Sequence, residues 1–489
     1  AVGNGALTTQ NTTGGGDIYN TAVGYYAGAA VTTGIQNTLI GGLAGTNLTD
    51  ADYNVAVGVA ALDLDTKGNK STAIGYNALS TQNFTTITDT HNTAVGYDAG
   101  VSVTTGINNT FIGGLSGDAI TSGNTNTAVG YQALSADTLG DRAVAIGNTA
   151  LASQNFTSSV DNYNVGIGNL AGASITTGIQ NTIIGGLAGD ALTDADYNVA
   201  IGYQALSTDT KGNYSVAIGL GALLNQNFTS STDTGNVAIG RGAGNQVTTG
   251  TQNTFIGGLA GDASQGDDHN TFVGYNSGSA VNGGFRNTFI GKDSGLSMTT
   301  GDKNTILGSF DGNQNNLDIR TDDKHVVLSD GDGNAHYYIN NNAQHFPYRG
   351  SNSADNNIIS FTSNVGSIRN SNCNIQCDGD IFNTNGTYGQ ISDETLKENI
   401  VDANSQWNDI KGLQIRNFSW KANNLDAPNQ IGVIAQEVQK LGMNGLIKKQ
   451  QDGTLGVKYS ILYTKAVKAL QEAMTRIETL ESKVATLEG

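Results

Sequence analysis

Asn92-Thr93-Ala94-Val95-Gly96-Tyr97 decides the fold, because the chain keeps returning to it. The same core stands at Asn20–Tyr25 and at Asn126–Tyr131. The glycine that closes it falls at 24, 41, 58, 75 and 96 and continues to 308, in steps of 17, 17, 17 and 21 residues taken three times and then in steps of 17. This is a 72-residue superperiod of four coils. A fixed period of this length is the mark of a solenoid. Residues 1–312 therefore read as one parallel β-roll or β-solenoid array.

The local chemistry supports that reading. The residue before each closing glycine is Val, Ile or, once, Leu, and the residue two before it is small or apolar. Neighbours on a strand point to opposite faces, so both faces are built for burial. One face fills the inside of the coil; the other needs a partner, most simply another chain. The closing glycine supplies a corner with positive φ. Asn opens the core in 14 of 17 coils, and Ser71, Ala143 and Ser215 replace it in the fourth coil of each superperiod. Stacked Asn side chains are expected to hydrogen-bond along the array. At roughly 4.8 Å per coil the array makes a rod on the order of 80 Å.

Composition narrows the function. The chain has 489 residues, 67 glycines, 2 prolines and a net charge of −18. Glycine without proline excludes collagen. The second part, from Ser392, holds 12 basic and 12 acidic residues, so the excess of acid lies in residues 1–391. An acidic rod does not hold nucleic acid through its phosphates. No 18-residue apolar run is present, so no membrane insertion is expected. Cys373 and Cys377 are spaced four apart, too far along a strand to bridge, and read as free thiols. No zinc spacing or cofactor motif is found, and no cofactor or metal is expected. The chain opens in mid-repeat at Ala1-Val2-Gly3, which leads us to expect an upstream segment that joins it to other proteins.

The 17-residue period ends at about residue 312. Residues 313–391 carry short alternating runs such as His325–Leu328 and Tyr337–Asn340, and read as a β-rich neck or shaft. Asp330-Gly331-Asp332-Gly333-Asn334 resembles a calcium loop but has Ala335 and Asn341 where that loop needs Gly and Glu, so a hairpin turn is expected. Residues 392–489 shift to Lys, Glu and Gln and to helical spacing. They form a small α/β domain ending in a helix over 460–488. Leu470, Ala473, Ile477, Leu480, Val484 and Leu487 make a heptad seam on that helix, which predicts a coiled coil.

Two resemblances follow from these motifs. The array over residues 1–312 resembles the head repeats of trimeric autotransporter adhesins and arrays in phage tail fibres, which implies three chains side by side. The last fifth resembles the intramolecular chaperone domain of endosialidases and other phage tail spikes. The matching residues are Ser392-Asp393, Leu396-Lys397 and Asn399-Ile400, then Phe418-Ser419-Trp420, Ile431–Val438 and Val457-Lys458-Tyr459. Gly442–Gly445 stands where that family has a proline after its Ala-Gln-Glu-Val helix, a change expected to alter a loop. The resemblance implies that the domain templates a homotrimer and then cuts itself free between Ile391 and Ser392. Ser392 would be the nucleophile and Lys397, once neutral through burial, its base. By pattern alone Ser392 is a helix N-cap with acids in the first turn, and one serine can serve in both roles.

The leading reading is thus a homotrimeric virion tail fibre that contacts a host-surface receptor, a glycan or a surface protein. Candidate contact residues are Tyr25, Tyr97, Tyr131, Tyr203 and Tyr275, or the loops carrying Phe84, Phe156 and Phe228. The alternative for these aromatics is packing between coils or chains. Two other function classes compete. A cell-surface adhesin would need a membrane-anchoring barrel, which has no counterpart in residues 1–489. A glycan-cleaving tail spike would need two carboxylates at a defined separation.

Overall fold

The computed structural model describes residues 1–11, 16–342, 345–347, 359–362, 367–370, 373–375, 381–383, 398–418, 430–449 and 454–489. Contacts divide the chain into two units, Ala1–Thr384 and Asn385–Gly489. The first is mainly β, as the repeats predict. Its parallel solenoid has about 18 turns. One short strand per turn stacks on the next, from Thr21–Val23 and Thr38–Ile40 to Thr305–Leu307 and Val326–Ser329. Register is one to one: Thr93 faces Thr110, Ala94 faces Phe111 and Val95 faces Ile112. The last rung, Val326–Ser329, comes from the stretch after the regular period and still pairs in parallel with Thr305–Leu307.

There the direction reverses. Ala335–Ile339 runs antiparallel to Val326–Ser329, and His345–Pro347 antiparallel to Ala335–Ile339. The turn between the first two is the expected hairpin. One Asp330 carboxylate oxygen accepts the N–H of Asp332 at 3.0 Å and of Asn334 at 2.8 Å. Hydrogen bonds from the Asn334 side chain and backbone lead the causes that lower the Asp330 pKa to about 2. Two further hairpins pair Ile359–Thr362 with Ser367–Asn370 and Cys373–Ile375 with Ile381–Asn383. Cys377, the other candidate free thiol, lies outside the described residues.

The closing glycines set the spacing of the rungs. Gly130 has φ +136°, and a Cβ there would lie 2.4 Å from the carbonyl oxygen of Gly147. The same close approach recurs along the column, as at Gly24 against Gly41 and Gly257 against Gly274. Inside the coil, volume is traded between positions. Leu39, Phe111, Ile183 and Phe255 fill the second coil of each superperiod and are fully buried. Glycines flank them: a Cβ at Gly45 would come within 2.8 Å of Leu39, and one at Gly117 within 2.4 Å of Phe111. In the third and fourth coils of the first three superperiods the strand residue is Ala, and Leu62, Leu79, Leu134, Leu151, Leu206 and Leu223 stand in the glycine's place.

The Asn row hydrogen-bonds along the array as expected, chiefly through backbone groups. An Oδ1 accepts the backbone N–H of the next rung, as in Asn54 N–H to Asn37 at 2.9 Å, and the Nδ2 donates to a carbonyl further along, as Asn54 does to Gly68 at 2.9 Å and Asn304 to Asp322 at 2.7 Å. Where Ser71, Ala143 and Ser215 interrupt the row, the 21-residue coil repairs it. Gln82 Nε2 donates to Asp65 at 2.6 Å and to Ser71 Oγ at 2.9 Å, while its Oε1 accepts from Asn92 at 2.8 Å. Asp65 also accepts the N–H groups of Gly68 and Phe84 at 3.1 and 3.0 Å. Gln154 with Asp137, and Gln226 with Asp209, repeat the node. Ala143 has no hydroxyl, and there Asn162 takes the place of Thr90 and accepts the Asn164 N–H at 2.9 Å. These polar groups are fully buried and satisfied by one another, the condition under which such a network is tolerated in a core.

The second unit is a small α/β core. Arg416–Phe418 pairs antiparallel with Gln430–Gly432, and Ile447–Lys449 with Leu455–Val457. Helix α1 is Trp407–Gly412, α2 is Ala435–Lys440 and α3 is Tyr459–Glu488. Val433, Val438, Met443, Leu446 and Leu462 form its buried centre.

The glycine column yields a paired test. Gly130→Ala must move backbone and adopt a strained φ, and should lower stability by about 2–4 kcal/mol in urea unfolding. Gly42→Ala, whose Cβ would meet nothing within 4 Å, should stay within about 0.5 kcal/mol of the parent.

Candidate functional site

Each rung turns one side chain inward and two outward. The inward row, such as Ala22, Leu39, Ala94 and Phe111, is fully buried. The outward rows are Thr or Val at the start of the rung and Val, Ile or Leu at its third residue, and no charged residue occupies either. Ile40, Ile112 and Ile290 keep about two fifths of their surface, at 39%, 40% and 42%. Eighteen rungs at roughly 4.8 Å give an apolar ridge on the order of 85 Å long. Contiguous exposed apolar surface of this extent marks an interaction face. The sequence predicts that second apolar face, and in the single chain it lies open.

The aromatics divide into two groups. Tyr25, Tyr97, Tyr131, Tyr203 and Tyr275 are exposed, just after the closing glycine of their coils. Tyr131, Tyr203 and Tyr275 lie over Gly114, Gly186 and Gly258, where a Cβ would sit 3.7, 3.6 and 3.3 Å from the ring. Phe84, Phe156 and Phe228 are not surface contacts: they are buried. Their backbone N–H groups are bonded to Asp65, Asp137 and Asp209, which draws the loop back onto the coil. Of the two readings open in the sequence, packing holds for the phenylalanines.

In the second unit the motif residues converge. Phe418 pairs with Gln430 across the strands. Gly432 is pinched beneath Tyr459 and Phe418, at 2.6 and 3.2 Å from where its Cβ would be. Val433 and Val438 enter the core, and Val457 packs against it. Ile391, Ser392 and Lys397, the cleavage site and its proposed nucleophile and base, lie outside the described residues, as do Ser419 and Trp420.

Helix α3 has two distinct faces. Leu462 and Ala469 are buried against the rest of the unit. On the same side Lys465 Nζ meets Asp409 at 2.7 Å, and Glu472 accepts from Ser405 Oγ at 2.6 Å and from the Gln406 N–H at 2.8 Å. Arg476 lies 4.4 Å from the Trp407 ring centre. The other side exposes Leu470, Ile477, Leu480, Val484 and Leu487 of the predicted seam, whose sixth residue Ala473 is half-buried, together with Tyr463, Val467 and Met474. The polar clamp was missed in the sequence, although Lys465, Ala469, Glu472 and Arg476 already trace a stripe spaced 4, 3 and 4 beside the seam.

Among the described residues no cluster of His, Cys, Asp or Glu is arranged to hold a metal ion, and no helix is long and apolar enough to cross a membrane. Residues 392–446 match the family model of the chaperone of endosialidase. No curated protein and no solved structure matches the chain. The C-terminal part thus carries a chaperone segment of the kind its motifs indicate, following a β-solenoid repeat.

The clamp sets a pH dependence. The Ser405 hydroxyl, then the Gln406 N–H, hold the Glu472 carboxyl below its usual range. A folded-state pKa below the unfolded one gives a contact that is fully present above the ordinary glutamate range and is lost as pH falls through the folded value. Trp407 fluorescence should therefore change on acidification below about pH 4.5. Glu472→Gln should remove most of that transition.

Proposed function

We propose that this protein is the homotrimeric tail fibre of a phage, assembled by its C-terminal chaperone segment and used to attach to a host surface. One observation carries the proposal: an uncharged ridge about 18 rungs long is followed in the same chain by a chaperone-of-endosialidase segment at 392–446. A ridge of that kind needs partners along its whole length. Other copies of the chain offer the same rise per rung and the same apolar rows. The open seam of α3 supplies a second surface for the same partners.

Attachment falls to the exposed tyrosines and to what the fibre presents three times over. Weak contacts to a surface glycan or protein add through avidity when several copies engage together. The acidic solenoid suits a neutral or cationic ligand better than an anionic one.

The chaperone segment would then leave. Ser392 Oγ attacks the carbonyl carbon of Ile391, with Lys397 taking the hydroxyl proton. The peptide bond is exchanged for an ester on Ser392 as the proton passes from Lys397 to the departing nitrogen, and water then hydrolyses the ester. Ile391 ends as a carboxylate and Ser392 as a free amine with its hydroxyl restored. Lys397 acts as a base only when neutral, and burial in an assembled trimer favours its neutral form. Cleavage would thereby wait for correct assembly, and the released fibre would persist by slow unfolding.

Native mass of the expressed chain should equal three copies, and a denaturing gel should show a fragment spanning residues 392–489. Ser392→Ala should abolish the fragment and leave the trimer. An uncut parent trimer would remove the self-cleavage and keep the assembly role; a monomeric mass would remove both.

A further inference from the structure

The first two superperiods share a surface feature that the third breaks. Five residues before each closing glycine the backbone is left-handed, as at Lys70, His91, Arg142 and Tyr163. These residues form a row along the solenoid, outside the apolar rows of the ridge. In the first superperiod Lys70 pairs with Asp89 at 2.5 Å, and His91 follows on the next rung. In the second, Arg142 pairs with Asp161 at 2.7 Å and lies 5.7 Å from the ring centre of Tyr163, which follows. In both, the carboxylate has its cation and the next rung supplies a ring.

The third superperiod departs at each of these points. Tyr214 stands where Lys70 and Arg142 stand, and its ring stacks on Tyr197 at 4.9 Å and 7°. Asp233, the counterpart of Asp89 and Asp161, makes no ion pair among the described residues and accepts from Asn213 Nδ2 at 3.3 Å. Gly235 takes the place of His91 and Tyr163, at φ +59°. A Cβ there would meet nothing nearer than Gln252 Cγ, at 3.7 Å. Tyr214, Asp233, Gly235 and Gln252 are all exposed. One face of Tyr214 is therefore stacked, while on the other side the next rung brings no side chain.

From Tyr214 to Gln252 is two rungs, roughly 9.6 Å at the usual strand spacing. Rings stack from about 4.5 Å upward, so the gap admits one ring and no more. A pyranose fits its chemistry. The apolar C–H face of the sugar packs on the open face of Tyr214, its hydroxyls donate to the Asp233 carboxylate, and the Gln252 amide both donates and accepts. A sugar carrying an acid would meet Asp233 and a chain of net charge −18. We propose that Tyr214, Asp233, Gly235 and Gln252 form a binding slot for one pyranose ring of a neutral surface glycan. The inference rests on the attachment reading above and adds the place and the class of ligand.

The test copies the second superperiod into the third. Gly235→Tyr fills the slot at a position where Tyr163 already takes φ +52°, and Tyr214→Arg supplies Asp233 with the cation that Arg142 gives Asp161. The full chain and both variants are applied to immobilised neutral oligosaccharides of hexose and N-acetylhexosamine, to acidic oligosaccharides and to intact bacterial cells, with native mass as the check on folding. The parent should bind a neutral oligosaccharide, and each variant should bind it about tenfold more weakly or worse at unchanged native mass. Equal binding by parent and both variants overturns the slot and leaves the attachment reading standing. Binding to cells or to acidic oligosaccharides without binding to any neutral one overturns the ligand class and likewise leaves attachment standing. A parent that binds neither sugars nor cells overturns the attachment reading and the slot with it.

Discussion

A backbone carbonyl lying where a side chain would begin governs the solenoid. Each closing glycine approaches the glycine of the next rung so nearly that a Cβ at Gly58 would be 2.2 Å from the Gly75 oxygen. This contact fixes the rise between coils, and the rest of each coil is fitted around it. Rungs kept in register one residue to one residue place every inward residue over another inward residue. Core volume then becomes a matter of neighbouring coils rather than of single positions. The exchange of Phe111 flanked by glycines for Ala128 beside Leu134 is the same volume delivered from two different points on the coil.

The 21-residue coils show how the array tolerates a defect in its polar row. Losing Asn at Ser71 removes the acceptor that the next rung's N–H would use. The longer coil brings in Gln82, and Asp65 binds that glutamine together with two backbone N–H groups. Burying a carboxylate is costly unless all its acceptors are used. Burial leads the causes that raise the Asp137 pKa, while Gln154 and the N–H groups of Phe156 and Gly140 pull it back down. The node is a hydrogen-bonded substitute for one rung of the amide row, which explains why the insertion and the missing Asn occur together.

Much of this was legible in the sequence because it depends on spacing. The period gave the parallel array, the Val-Gly and Ile-Gly steps gave the outward apolar row, and the spacing of Leu470, Ile477 and Val484 gave the α3 seam. What escaped was set by three-dimensional neighbours that no spacing encodes. Phe84, in a polar loop of an inserted coil, looks like a projecting tip; only the Asp65 hydrogen bond to its N–H turns it inward. The Asn row hydrogen-bonds along the array as its spacing predicts, but that its side chains reach chiefly backbone groups of the neighbouring coil was not legible in the spacing. The clamp of Ser405, Asp409, Lys465 and Glu472 joins residues more than fifty positions apart, beyond any local pattern. Ser392 and Lys397 remain readings from motif alone.

The uniformity that makes the ridge sticky also makes it ambiguous. Along the ladder the outward rows vary only between Thr and Val and among Val, Ile and Leu. A second chain displaced by one rung would therefore bury nearly the same apolar surface. The internal differences, Phe111 against Ala128 or Gln82 against Val103, face inward and cannot correct such a slip. Within one chain the contacts are local, between rungs mostly 17 residues apart, so each coil array should form readily. The difficult step in the proposed trimer is choosing one register among many near-equals. The longer coils offer a distinguishing mark once per superperiod. In that proposed trimer a template at one end would set the register before the ridge closes and let it propagate rung by rung. A chaperone segment following a repetitive solenoid is the arrangement such an assembly problem requires.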